Sequence, residues 1–389
     1  MDPRAPEEAH RVATPLELFV DLAFVVAVAQ AASSFHHALV DGDTGAAFNG
    51  FPLVFFAIWW AWMNFTWFAS AYDNDDVFYR LATFVQMAGV LVLAAGVPRS
   101  FHHSDITVVT YGYVIMRLAM VSQWLRAASS DPGGRTSALR YAGGISVMQI
   151  GWLLRLTLPD RWALPSILVL IAGELSVPYW AESAGRTAWH PRHIADRYGG
   201  FTIIVLGESV LSATFGVQAA LDAHSSVNDL LPVILGGLLV AWGMWWFYFA
   251  MPGDLVAEHA KAASVERVAA TFAWGYGHYF VFAAAALTGA GVAVEIDQVR
   301  GQSKLSDLQA GLVTTIPVAV FLLVVWLLHY AERPRSPFNS LAVPVAVLLV
   351  LASAVSPEPL LFAGLVLAAL TAASIVATAH DWERTSSTA

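Results

Sequence analysis

Apolar residues in this chain come in long unbroken runs, not in the alternation of a half-buried strand. Runs long enough for a helix to cross about 30 Å of hydrocarbon fall near 15–37, 48–71, 77–97, 107–127, 137–158, 161–180, 198–220, 229–251, 268–294, 308–331, 340–356 and 358–380. The pattern predicts an all-α integral membrane protein of about twelve transmembrane helices. The signal is weakest at the short 340–356 run and at the tight turn around Pro159 and Asp160. No polar stretch between the runs exceeds about twenty residues, so no soluble domain is expected.

Arg and Lys sharpen the topology, because they favour cytoplasmic loops. With the N-terminus inside, fourteen of the twenty fall on the inner side, among them Arg11, Arg80, Arg126, Arg197, Lys261, Arg267, Arg333, Arg335 and Arg384. Arg99, Arg161, Arg300 and Lys304 fall outside, and Arg117 and Arg155 lie within helices. Both termini are therefore expected in the cytoplasm, in a membrane protein whose obligatory partner is the bilayer. The polar first fourteen residues and the long first run argue against a cleavable signal peptide.

Composition agrees with the pattern. Hydrophobic residues make up 57% and charged residues 13%, about half the charge of an ordinary soluble domain, and mean hydropathy is +0.60. The chain has no cysteine, which excludes disulfides and thiolate chemistry. A formal charge of -9 without a basic run argues against nucleic acid. No cofactor motif is present.

A repeat is expected at an offset of six helices. The aromatic stretch Ala61–Ala69 resembles Ala241–Ala250; an acidic loop and an Arg (Arg80, Arg267) follow each. An even offset preserves orientation, so the two halves would be parallel repeats. This divides the chain into a cytoplasmic tail 1–14, a first half 15–180, a connector 181–197, a second half 198–380 and a tail 381–389.

Charged residues inside lipid are costly and mark sites by default. Glu17 and Asp21 share one helical face; Glu208 and Arg117 lie near mid-helix, Glu174 in the inner half of its helix, and His278 among glycines. Most fall between the cytoplasmic interface and the midplane, as a shared cavity requires. Four acids against the single cation Arg117 leave an excess of negative charge, which favours protonated carboxyls or a bound cation. Glu17 is expected near water at the interface, and Asp21, about 6 Å deeper by helical rise, as the partner of Glu208.

Other polar groups carry weaker signals. Asp73, Asp76 and Arg80 between the second and third helices have the spacing of a transporter's cytoplasmic latch without its glycines; a helix-capping loop is the plainer reading. Adjacent histidines such as His36 and His37 point about 100° apart on a helix, and no metal site is expected there or at His190, His193 and Asp196. The Trp residues of the second and eighth helices suit lipid-facing packing or a stacking wall for a ligand.

Three motifs resemble those of the bacterial low temperature requirement protein A family: Pro15–Gln30 (PLELFVDLAFVVAVAQ), Asp73–Asp76 followed by Arg80, and Asp196–Ser209 (DRYGGFTIIVLGES) with His193 upstream. Asp196 departs from the Glu usual at that position. The resemblance implies a multi-pass plasma-membrane protein named for a cold-growth phenotype, whose biochemical activity is largely undefined.

The leading expectation is a secondary transporter of a small solute coupled to protons or a cation. Asp21 and Glu208 change charge in this reading, with Glu17, Glu174, Arg117 and His278 as further candidates. Two alternatives remain open. One is a structural or sensory protein linked to cold adaptation, in which the acids only pack helices. The other is an intramembrane enzyme acting on lipid; without a zincin motif, nucleotide loop or nucleophile elbow, enzyme chemistry is the less expected.

Overall fold

The computed structural model describes residues 3–4, 11–222, 226–250, 265–329 and 337–386. Among the described residues there are twelve α-helices and no strand. They are α1 (Pro15–Val40), α2 (Thr44–Tyr72), α3 (Val77–His102), α4 (Thr107–Ser130), α5 (Arg135–Arg155) and α6 (Ala163–Glu182). Then come α7 (Pro191–Asp222), α8 (Val227–Phe249), α9 (Val265–Val299), α10 (Asp307–His329), α11 (Pro337–Ala352) and α12 (Pro359–Ser386).

Among the described residues nine helices are long and apolar enough to cross a membrane. The three expected spans outside that set are α4, α5 and α11. The first two carry polar side chains that the fold buries, Arg117 and Gln123 on α4 and Gln149 on α5, which lowers their hydropathy without placing them in water. The third has only 16 residues. Lys261, Arg333 and Arg335 of the expected inner charge set lie outside the described residues.

The chain forms two compact units, residues 1–31 with 49–198, and residues 32–48 with 199–389. The turn joining α1 to α2 thus clusters with the second unit, whereas the start of α7 clusters with the first.

In the first unit α3 packs on α4, α4 on α5 and α5 on α6. Small residues allow the close approach that membrane helices use in place of hydrophobic burial. A Cβ on Gly89 would sit 2.7 Å from the Met116 side chain, and one on Gly96 would sit 2.7 Å from the Val109 nitrogen. In the second unit α9 packs on α10, α10 on α11, α11 on α12, and α12 on α8. A Cβ on Gly236 would meet the Leu360 backbone at 2.6 Å.

The aromatic stretches of α2 and α8 occupy opposite environments. Trp59, Trp60 and Trp62 are buried, while Trp242 and Trp245 are exposed. Similar composition therefore serves the interior in α2 and the exposed surface in α8.

Candidate functional site

The first unit buries two clusters of charge. The larger is built by two pairs of residues at a spacing of four, which puts each pair on one helical face. Glu17 and Asp21 of α1 face His193 and Arg197 of α7. Arg197 Nη2 donates to Asp21 Oδ1 at 2.6 Å, and His193 Nε2 lies 3.2 Å from Glu17 Oε2. Arg197 Nη1 is 3.6 Å from Glu17 Oε1. Because Glu17 meets His193 and Asp21 meets Arg197, the two helices run past each other in the same direction.

Local sequence explains why these residues stand where they do. The Glu17 N–H donates to the Thr14 hydroxyl at 3.2 Å, and the Thr14 N–H donates to Glu17 Oε2 at 2.7 Å, a reciprocal capping box that starts α1. Pro191 opens α7 at the first helical position, where its missing N–H costs nothing. Arg197 is therefore already inside the helix. The Trp62 indole donates to Asp21 Oδ1 at 2.7 Å, and the Arg11 guanidinium donates to the carbonyls of Ser70 and Ala69, both at 2.6 Å, where α2 ends.

This geometry corrects three expectations. Glu17, expected where bulk water reaches it, has no exposure to the outside of the protein. Arg197, placed by sequence in a cytoplasmic loop, is 1% exposed and is the ion partner of Asp21. Arg117 is not the lone cation, since the buried acids Glu17, Asp21 and Asp73 share the unit with the buried cations Arg11 and Arg197, which reduces the expected excess of acid to one. The start of α7 six residues before Arg197 is what sequence reading missed, although Pro191 and the His193–Arg197 spacing both signal it.

In the second cluster the carboxylate is satisfied, although Arg117 Nε and Nη1 and Gln149 Oε1 are buried without a hydrogen-bond partner. Glu174 of α6 accepts from Trp60 Nε1 at 2.9 Å, Tyr113 OH at 2.9 Å, Arg117 Nη2 at 3.0 Å and Gln149 Nε2 at 3.0 Å. These donors come from α2, α4 and α5, so one carboxylate ties four helices. Arg117 is thus the ion partner of Glu174, not of Asp21 or Glu208.

Glu208 and His278 belong to the second unit. Glu208 is half-buried on α7, accepts from the Ser212 hydroxyl at 3.0 Å, and has no ion pair among the described residues. Beside it in sequence, Leu206, Ser209 and Val210 line an apolar groove of about 200 Å³ between α7, α8 and α9. His278 Nδ1 lies 2.8 Å from the Trp274 carbonyl and Nε2 lies 3.0 Å from the Tyr248 hydroxyl, a fully bonded packing histidine. Glu295, not singled out from sequence, is buried in α9 and accepts from the Thr314 hydroxyl at 2.9 Å. His36 pairs with Asp297 at 2.8 Å.

The loop after α2 divides its acids differently from the expected latch. Arg80 pairs with Asp75, at 2.6 and 2.8 Å, and not with Asp73 or Asp76. Asp76 caps α3 through the Tyr79 N–H at 2.9 Å and holds Arg126 of α4. The Arg126 guanidinium beside it pulls the Asp76 carboxyl down to about 2. Burial, and then the negative charge of Glu17, pushes Asp73 up to about 6.

The two shifts act oppositely on stability. Asp73, raised from its ordinary 3.8, contributes stability that is complete below that value and lost as pH rises through about 6. Asp76, lowered, contributes stability present above 3.8 and lost as pH falls toward about 2. Thermal unfolding of the purified protein across pH should show Asp73→Asn removing the decline between about pH 4 and 6 and sparing the acid limb, whereas Asp76→Asn weakens the acid limb. Equal profiles for both variants would contradict this division.

No solved structure matches the chain. An uncharacterized protein of Rhizobium meliloti (strain 1021) is 27% identical over 274 residues, 67% of this chain and 64% of that protein, so the match covers a little under two thirds of the relative's length. Residues 12–379 match the family described as bacterial low temperature requirement A protein (LtrA). That match takes in both α1 with its acid pair and α7 with its basic partners, and the chain belongs to the bacterial low temperature requirement A family.

Proposed function

We propose that this chain is a plasma-membrane secondary transporter that couples movement of a small solute to protons or a cation. The observation that carries the reading is the Glu17–Asp21–His193–Arg197 cluster, in which Asp21 Oδ2 is buried without a hydrogen-bond donor, while Glu17 Oε1 meets His193 Nε2 at 3.2 Å and Arg197 Nη1 at 3.6 Å. A carboxyl kept for structure alone is normally satisfied, as Glu174 is by four donors. Spare acceptor capacity on a buried acid is what a site needs if it is to take up and release charge.

Asp21 and Glu208 are the groups that change charge in this reading, and Glu174 with Arg117 holds helices together. The twelve-helix topology with both termini cytoplasmic draws support from the distribution of Arg and Lys. A parallel six-helix repeat draws support from the order of neighbours, since α3–α4–α5–α6 and α9–α10–α11–α12 pack in the same succession.

The test uses the purified chain in liposomes loaded with a pH-sensitive dye. Amino acids, organic acids, polyamines and sugars are added in turn while proton movement is recorded. At least one class should evoke proton movement in the wild type, and Asp21→Asn and Glu208→Gln should each lower it tenfold or more without changing the elution of the folded protein. Identical traces for wild type and both variants would sink the coupling role.

A further inference from the structure

The paired residues account for only part of the polar surface buried around them. Asp21 Oδ2, Asp73 Oδ2, Thr66 Oγ1, Tyr79 OH, His193 Nδ1 and Arg197 Nε are buried with no hydrogen-bond partner, and Arg197 Nη1 reaches Glu17 Oε1 only at 3.6 Å, beyond hydrogen-bond length. All belong to the first unit. The charged groups and Tyr79 also share one electrostatic neighbourhood: Glu17, Arg11 and Asp75 act on Asp73, while Asp73, Glu17, Arg197 and Arg11 act on the Tyr79 hydroxyl. Leaving this many buried polar groups dry would cost on the scale of a fold's whole net stability.

The mixture of donors and acceptors decides what completes them. A metal cation would satisfy the carboxylate and hydroxyl oxygens but would be repelled by the Arg197 guanidinium. An anion would satisfy Arg197 but would face three carboxyls. Water both donates and accepts, and buried water typically bridges about three such groups.

We infer that ordered water joins these side chains into one hydrated chamber leading from Asp73, at the α2–α3 loop, to Asp21 inside α1, and that the ion handled there is the proton, not a metal cation. Its use in coupling rests on the transport reading above; its existence does not. A proton entering at Asp73 is passed along the waters by exchange, each water accepting one proton and releasing another. The proton count therefore balances without a co-reactant. Glu17, held by His193 and the Thr14 N–H, acts electrostatically on both ends.

Hydroxyl-radical footprinting in lipid nanodiscs mixed briefly with oxygen-18 water tests the chamber. Tyr79 and His193, both 0% exposed, should take up label several-fold faster than Phe65 and Tyr113, which are buried in the same unit, Tyr113 with its hydroxyl bonded to Glu174. Labelling of Tyr79 no faster than that of Phe65 overturns the chamber. Infrared spectra on acidification should show a carboxyl band that Asp73→Asn removes and that exchange of potassium for sodium leaves in place. A band displaced by sodium overturns the proton assignment. Wild-type liposomes that show no solute-evoked proton movement would instead defeat the transport reading, with the labelled chamber still standing.

Discussion

Arg197→Gln should destabilise the protein by about 3–5 kcal/mol, the cost of removing one partner from a buried ion pair. Glu17 and Asp21 would then share the fully buried face of α1 without the guanidinium that lies beside both. Coulomb repulsion between acids four residues apart adds to the loss of the 2.6 Å bond. Unfolding in a denaturing detergent series measures the effect. Because the penalty comes from stranded charge, adding Asp21→Asn to Arg197→Gln should recover much of it, a positive coupling in a double-mutant cycle. Strict additivity of the two changes would mean that Arg197 stabilises through packing over the Phe65 ring, 6.0 Å away, and not through Asp21.

Glu174→Leu should be at least as damaging, again about 3–5 kcal/mol. It removes the acceptor shared by Trp60, Tyr113, Arg117 and Gln149, and it leaves a guanidinium 2% exposed without its counter-ion. Buried pairs replaced whole by apolar residues are often neutral or even stabilising. Glu174→Leu combined with Arg117→Leu should therefore be clearly more stable than Glu174→Leu alone. A double variant as unstable as the single one would show that the three neutral donors, and not the charge, set the cost.

Among the described residues each expected run falls on a helix, nine of them long and apolar enough to cross a membrane, because the apolar runs are separated by short polar loops that a membrane helix cannot contain. Sequence pattern was less able to find partners. Arg197 looked like a loop cation, since a boundary read from hydropathy places the helix start after the last charge, whereas the fold begins α7 at Pro191 and buries the charge against Asp21. The indoles of Trp60 and Trp62 looked like packing surface, but their N–H groups are donors to Glu174 and Asp21. Both errors have one cause. Hydropathy ranks residues one at a time, while the cost of a polar group in a membrane is settled by what reaches it from a helix distant in sequence.

Those long-range partners have a consequence for biogenesis. Arg117 is followed by its acid only 57 residues later in the chain, an interval of about 3 to 11 s at ordinary rates of synthesis. Asp21 waits for Arg197 across 176 residues, about 9 to 35 s. During that time α1 carries two carboxyls that no permanent cation of α7 yet neutralises. α1 therefore reaches its final electrostatic state only after α7 is made, and until then it needs shelter from lipid, by the insertion machinery or by protonation.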